Sequence, residues 1–266
     1  MRRTIEIAGI TLRQAIKERS FHVILVTTLF AMMGIPVLYS FTMFEVPRIL
    51  SGFALSYTNF AVLVLMLFLM MNLSQTDLDR KTLQYVISLP ITRKDYIIGR
   101  FFGFLFFSFL LTYIVLFLLA PLVVLLSRQR YDAPLHTGYF FLYGFFLNVE
   151  IAVLIAFALL FLSLTSKTIV SMFAVVGTYF IGHTIDEVSE FLKTRMGESM
   201  PLFSKIVIQL TRYLFPNLAL FDLKTNFIYG KEVNGIALIL IALYGVFYSL
   251  LALYFAILCF ERKEIY

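Results

Sequence analysis

The chain has 266 residues, of which 61% are apolar and 14% charged, with a formal charge of +6. Soluble domains run at roughly 45–50% apolar and about 25% charged, because a surface facing water needs polar groups. This composition excludes a soluble globular domain and a disordered chain, and a lone cysteine, Cys259, excludes a disulfide scaffold.

The first twenty residues are too polar for the apolar core of a signal peptide, so an uncleaved chain is expected. Residues 4–19 place Ile5, Ala8, Leu12, Ala15 and Ile16 on one helical face, which predicts an amphipathic helix in the membrane interface. Crossing about 30 Å of hydrocarbon takes roughly 20 helical residues. Six runs meet that length, at 21–44, 52–73, 101–126, 138–164, 168–185 and 236–260. They are continuously apolar rather than alternating, which selects helices over a barrel. Gly34 and Pro36 predict a kink in the first span. Tryptophan is absent, leaving Tyr131, Tyr139, Tyr254 and Tyr266 as the interfacial aromatics. The expected fold is an all-α integral membrane protein, a single domain over 1–266.

Two connections between spans are long. Residues 74–100 are polar. Residues 186–235 exceed what a bare loop fills in a compact protein. Within them Leu202, Ile206, Leu210 and Tyr213 fall at helical spacing, predicting a helix on or in one leaflet, then a turn at Pro216-Asn217. With the N-terminus inside, the inner segments hold 13 basic and seven acidic residues, the outer segments nine and eight. The excess positive charge thus lies on one side, which predicts both termini cytoplasmic and no role in nucleic-acid binding.

The stretch from Gln75 to Phe104 reads as helix, break, helix. Leu78, Leu83, Val86 and Ile87 stripe a charged helix over 75–90, and Pro90 ends it. Thr92 then caps the next helix with Asp95 three residues on. That helix runs directly into the third span. A short surface helix joined to a transmembrane helix is a lever for a docked soluble partner, or else an ordinary solvated connection.

The run Asp79-Arg80-Lys81-Thr82-Leu83-Gln84, followed by Leu89-Pro90-Ile91-Thr92-Arg93 and Gly99-Arg100, resembles the cytoplasmic motif of ABC-2 type exporter permeases. Phe215-Pro216-Asn217-Leu218, Phe221-Asp222-Leu223-Lys224 and Gly230 resemble the nitrous-oxide-reductase and multicopper-enzyme-maturation group of those permeases. Lys81, Gln84 and Arg100 depart from the usual Gly, Glu and Lys. The resemblance implies six spans, a cytoplasmic coupling helix over 75–90 and outer-leaflet helices between spans five and six. It implies a dimer of permeases, as a homodimer or with a related chain, in a prokaryotic cytoplasmic membrane. Two separate ATPase subunits carrying ATP and Mg would dock on it, and a periplasmic accessory protein is compatible with it. Asp79, Arg80, Thr82, Leu83, Gln84, Pro90 and Arg93 are the residues expected to contact the ATPase. The chain has no G-x-x-x-x-G-K-[ST] loop of its own, so ATP hydrolysis requires another polypeptide.

Glu150 lies mid-span, two residues after Asn148, where an ionisable group is costly. It reads either as a substrate, cation or proton contact or as a carboxyl gluing helices through Asn59 or Thr178. Met32, Met33, Met43, Met66, Met70 and Met71 read as apolar filler, because no His or Cys joins them at ligand spacing. Asp186, Glu187 and Glu190 read as a solvated face. No G-x-S-x-G, H-E-x-x-H or other catalytic pattern occurs, so a transporter subunit without catalytic residues, cofactor or metal is expected. Two other classes stay open: an ion-coupled secondary transporter using Glu150, and a non-transporting membrane anchor for a soluble partner.

Overall fold

The computed structural model describes residues 2–42, 44–79, 92–130, 138–165, 167–191, 201–229 and 234–262. Every regular element among them is helical. In chain order these are α1 (Arg2–Lys17), α2 (Arg19–Phe41), α3 (Val46–Asp79), α4 (Arg93–Arg130), α5 (Gly138–Leu164), α6 (Thr168–Phe191) and α7 (Leu202–Leu214). A 3₁₀ turn (Ala219–Phe221), α8 (Lys224–Ile228) and α9 (Gly235–Arg262) follow. Among the described residues, six helices are long and apolar enough to cross a membrane: α2 through α6, and α9. The all-α, six-span expectation holds.

α3 and α6 overrun their predicted ends for one physical reason. α3 begins at Val46, with Pro47 in its first turn, where a missing N–H costs nothing. It then continues to Asp79, because Asn72 to Asp79 contains no Gly or Pro to stop it. The first residues assigned to a separate coupling helix therefore belong to the end of the second span's own helix. α6 likewise runs through Asp186, Glu187 and Glu190 to Phe191. α2 stays helical through Pro36.

α5 is the axis of the bundle. It is apolar all round, as a helix enclosed by protein should be, and α3, α4, α6 and α9 pack around it. α2 and α9 lie outside and turn Phe30, Met33, Phe41, Leu240, Phe247 and Leu250 outwards. Such an apolar surface is the expected face toward hydrocarbon. α7 also leaves Phe203, Ile206, Leu210 and Tyr213 uncovered, matching the predicted amphipathic helix of the long connection.

α1 packs against the start of α4, and Gly99 and Gly103 make this possible. A Cβ on Gly103 would stand 2.5 Å from Thr11 Cβ, and one on Gly99 2.7 Å from Ile7 Cβ. A glycine pair four residues apart lets two helix backbones approach closely. The buried face of α1 is consequently Ile7, Ala8, Thr11 and Ala15, while Ile5 and Ile16 of the predicted face stay exposed. The helix is present, but rolled so that Ile7 and Thr11 meet the glycines.

After α7 the chain turns at Pro216 and folds back into the bundle. The Leu218 amide donates to Gly182 O at 3.0 Å, and the Asn217 amide donates to the Tyr244 hydroxyl at 2.8 Å. The Asn217 side-chain amide donates to Asp186. Leu218, Phe221, Leu223 and Phe227 are buried against α3, α5, α6 and α9. Asp186, expected on a solvated face, instead anchors this inward-folded segment.

Candidate functional site

Two places in this bundle hold polar chemistry. The first is the start of α4. Thr92 and Asp95 form the predicted cap: the Asp95 amide donates to Thr92 Oγ1 at 3.2 Å, and the Thr92 hydroxyl donates to Asp95 Oδ2 at 2.7 Å. The Thr4 hydroxyl of α1 donates to the other oxygen, Asp95 Oδ1, at 3.1 Å. Arg100, only 6% exposed, donates from Nη1 to Gln14 Oε1 at 3.1 Å and lies over the Tyr96 ring. On the other side, Arg93 Nη1 donates to the carbonyls of Phe260 and Glu261, both at 3.0 Å. Lys94 pairs with Glu261 at 3.5 Å, and Tyr96 stacks on Phe260. Positive groups at the carbonyl end of α9 complement its dipole.

About two turns of α4, from Arg93 to Arg100, thus grip α1 and α9 together. Of the residues expected to contact an ATPase, Arg93 lies here and is engaged with α9. Asp79 is the last residue of α3, and Arg80, Thr82, Leu83, Gln84 and Pro90 lie outside the described residues.

The second place is inside the bundle. Glu150 on α5 is 1% exposed, and its Oε1 lies 2.9 Å from Nε2 of His183 on α6. Of the predicted partners, Thr178 donates its hydroxyl to Ala174 O, and Asn59 lines the neighbouring cleft. His183 sits on the wall of a cleft of about 450 Å³ between α3 and α6. Ser56, Asn59, Phe60, Leu63 and Leu67 line one side, Val176, Tyr179, Phe180 and His183 the other. Asp222 and Lys224, delivered by the inward-folded segment, close one end and pair with each other at 3.8 Å. The Tyr179 ring packs edge-on against the His183 ring at 4.5 Å between centroids.

Asn148 does not belong to this site. Residues two apart on a helix point about 200° away from each other. Asn148 accordingly faces α4, where its Oδ1 accepts from the Ser108 hydroxyl at 2.6 Å and its amide donates to Gly144 O at 2.7 Å. It is fully buried helix glue.

His183, Asp222 and Lys224 were not singled out from the sequence as companions of Glu150. The available signal was chemical: an intramembrane carboxyl needs a partner, and His183 is the histidine of the next span. The geometry can hold a proton between a carboxyl and an imidazole, and can present charge to a molecule entering between α3 and α6. Among the described residues no group of three His, Cys, Asp or Glu side chains converges on a common point for a metal. No known family model matches the chain, and no curated protein matches it.

Proposed function

We propose that this chain is the membrane-spanning permease subunit of an ATP-driven exporter, docking a separate ATPase through the segment ahead of α4. The grip of Thr92 to Arg100 on both α1 and α9 is the observation that supports this most. A push on the residues immediately before Thr92 would be transmitted to two other helices through Asp95, Arg100 and Arg93. The likeness of 79–100 and 215–230 to ABC-2 type permeases points the same way. On this reading the termini are cytoplasmic, the membrane is a prokaryotic cytoplasmic membrane, and two permease chains pair with two ATPase subunits holding ATP and Mg. Leu83 fills an apolar groove on the ATPase while Asp79, Arg80, Thr82, Gln84 and Arg93 set orientation.

The test is Leu83→Asp in cells that make the whole complex. The variant is expected to reach the membrane at normal level and to lose the co-purifying ATPase and vanadate-sensitive transport. Undiminished ATPase recovery would refute the docking role.

The Glu150–His183 pair favours a second reading, ion-coupled transport without an ATPase. Transport that persists under vanadate and collapses when the proton gradient is dissipated would select it.

A further inference from the structure

The cleft between α3 and α6 has three properties that define what it can hold. Its walls are aromatic and aliphatic: Phe60, Leu63, Leu67, Val176, Tyr179 and Phe180. Its mouth opens sideways from the bundle, since Phe60 is 67% and Phe180 62% exposed. Its polar end carries ionisable groups of both signs. Asp222 and Lys224 line it, and the Glu150 carboxyl lies behind its wall, joined to the lining His183 at 2.9 Å. Among the described residues, Glu150, Asp222 and His183 without protons to share, together with Lys224, would carry one negative charge in sum. The other groups near it, among the described residues, are Tyr143 on α5, Tyr179 on α6, and uncharged Ser56 and Asn59 on α3.

Such a site reaches neutrality in two ways. A proton held by the Glu150–His183 pair cancels the charge, or a bound cation does. A volume of about 450 Å³ lies in the range of small organic ligands and exceeds what a bare ion fills. Aromatic walls add attraction for a cation, and burial of a lone charge in an apolar site is costly enough to make the two occupants exclusive.

We propose that this cleft binds a lipophilic organic cation, reached from the bilayer, in exchange for one proton held by Glu150 and His183. No bond to carbon forms or breaks. The cation replaces the proton, and the proton leaves to water. The proposal stands apart from the ATPase reading, because binding needs neither nucleotide nor a second polypeptide.

The test uses the full-length chain in detergent, without an ATPase, and tetraphenylphosphonium as the probe. Equilibrium dialysis from pH 5.5 to 8.5 is expected to show affinity rising with pH, approaching tenfold per unit across the titration. In weak buffer, one proton should be released per cation bound. Glu150→Gln is expected to lower affinity at least tenfold and abolish the pH dependence, and Asp222→Asn to lower affinity while preserving it. Triphenylphosphine oxide, uncharged and similar in shape, should not compete. Binding without proton release at every pH from 5.5 to 8.5 overturns the proposal, and that count needs no variant to fold. Equal competition by triphenylphosphine oxide or by a zwitterionic phosphatidylcholine also overturns it, the latter assigning the cleft to lipid headgroups paired with Asp222 and Lys224.

Discussion

Arg93, in the first turn of α4, donates to the carbonyls of Phe260 and Glu261 in the last turn of α9, tying two helices that are more than 160 residues apart in sequence. Hydrogen bonds from a charged donor to terminal carbonyls are worth about 1.5–3 kcal/mol when protected, and less where solvent screens them. Arg93→Ala is expected to cost about 1 kcal/mol, read as a lowered midpoint of thermal unfolding in detergent. Arg93→Lys, with one point charge in place of a planar fork, should recover part of it. An unchanged midpoint in Arg93→Ala would mean that the α4–α9 tie adds nothing to stability.

The seam between α1 and α4 depends on the absence of a side chain. Gly103→Val places atoms where Thr11 and the Ala8 carbonyl already stand, and overpacking of this kind costs about 1–3 kcal/mol. α1 should then lift from α4, and trypsin should cut at Arg13 and Lys17 faster than in the wild type. Cleavage at the wild-type rate would contradict the close packing.

Asn148 and Glu150 should separate cleanly by experiment. Removing the Asn148–Ser108 bond should cost about 1 kcal/mol, within the range measured for hydrogen bonds between membrane helices. A double-mutant cycle of Asn148→Ala with Ser108→Ala should show coupling of similar size. Neither change should alter ligand binding in the α3–α6 cleft, because Asn148 faces α4. A binding defect in Asn148→Ala would mean that the two residues act together.

The inward-folded segment is seated against Gly245. A Cβ there would lie 2.3 Å from Val149 Cγ1 and 3.0 Å from the Phe221 ring. Gly245→Ala is expected to push the 3₁₀ turn away from α5 and α9 and to destabilise the fold by about 1–3 kcal/mol. Increased hydrogen exchange confined to 216–229 would report it. Exchange unchanged in that stretch would place its anchor elsewhere.

The spans were legible because hydropathy acts over twenty residues at a time, and the Thr92–Asp95 cap because it is a local pattern with one geometric solution. The face that α1 buries was not. Ile5, Leu12 and Ile16 carry more hydrocarbon than Ala8 or Thr11, but the partner helix is a glycine seam that Ile7 and Thr11 enter. The spacing of Gly99 and Gly103 held that information, and it becomes meaningful only once α1 is known to be the neighbour. Glu150 was legible as costly. Its pairing with His183, 33 residues on, depends on the rotation of α6 about its own axis, which no periodicity encodes. Asp222 and Lys224 reach the same cleft only because a connection folds inward, supported by Leu218 and Phe221 filling space between α5, α6 and α9.

On the proposed reading, the residues leading into α4 receive force from an ATPase. Photo-cross-linking from single positions between 80 and 90, in membranes of the organism that makes the chain, addresses it directly. The account predicts adducts, strongest from position 83, with a polypeptide that carries a nucleotide-binding phosphate loop. Adducts with lipid alone from every such position, while that ATPase cross-links to another surface or to none, would contradict it.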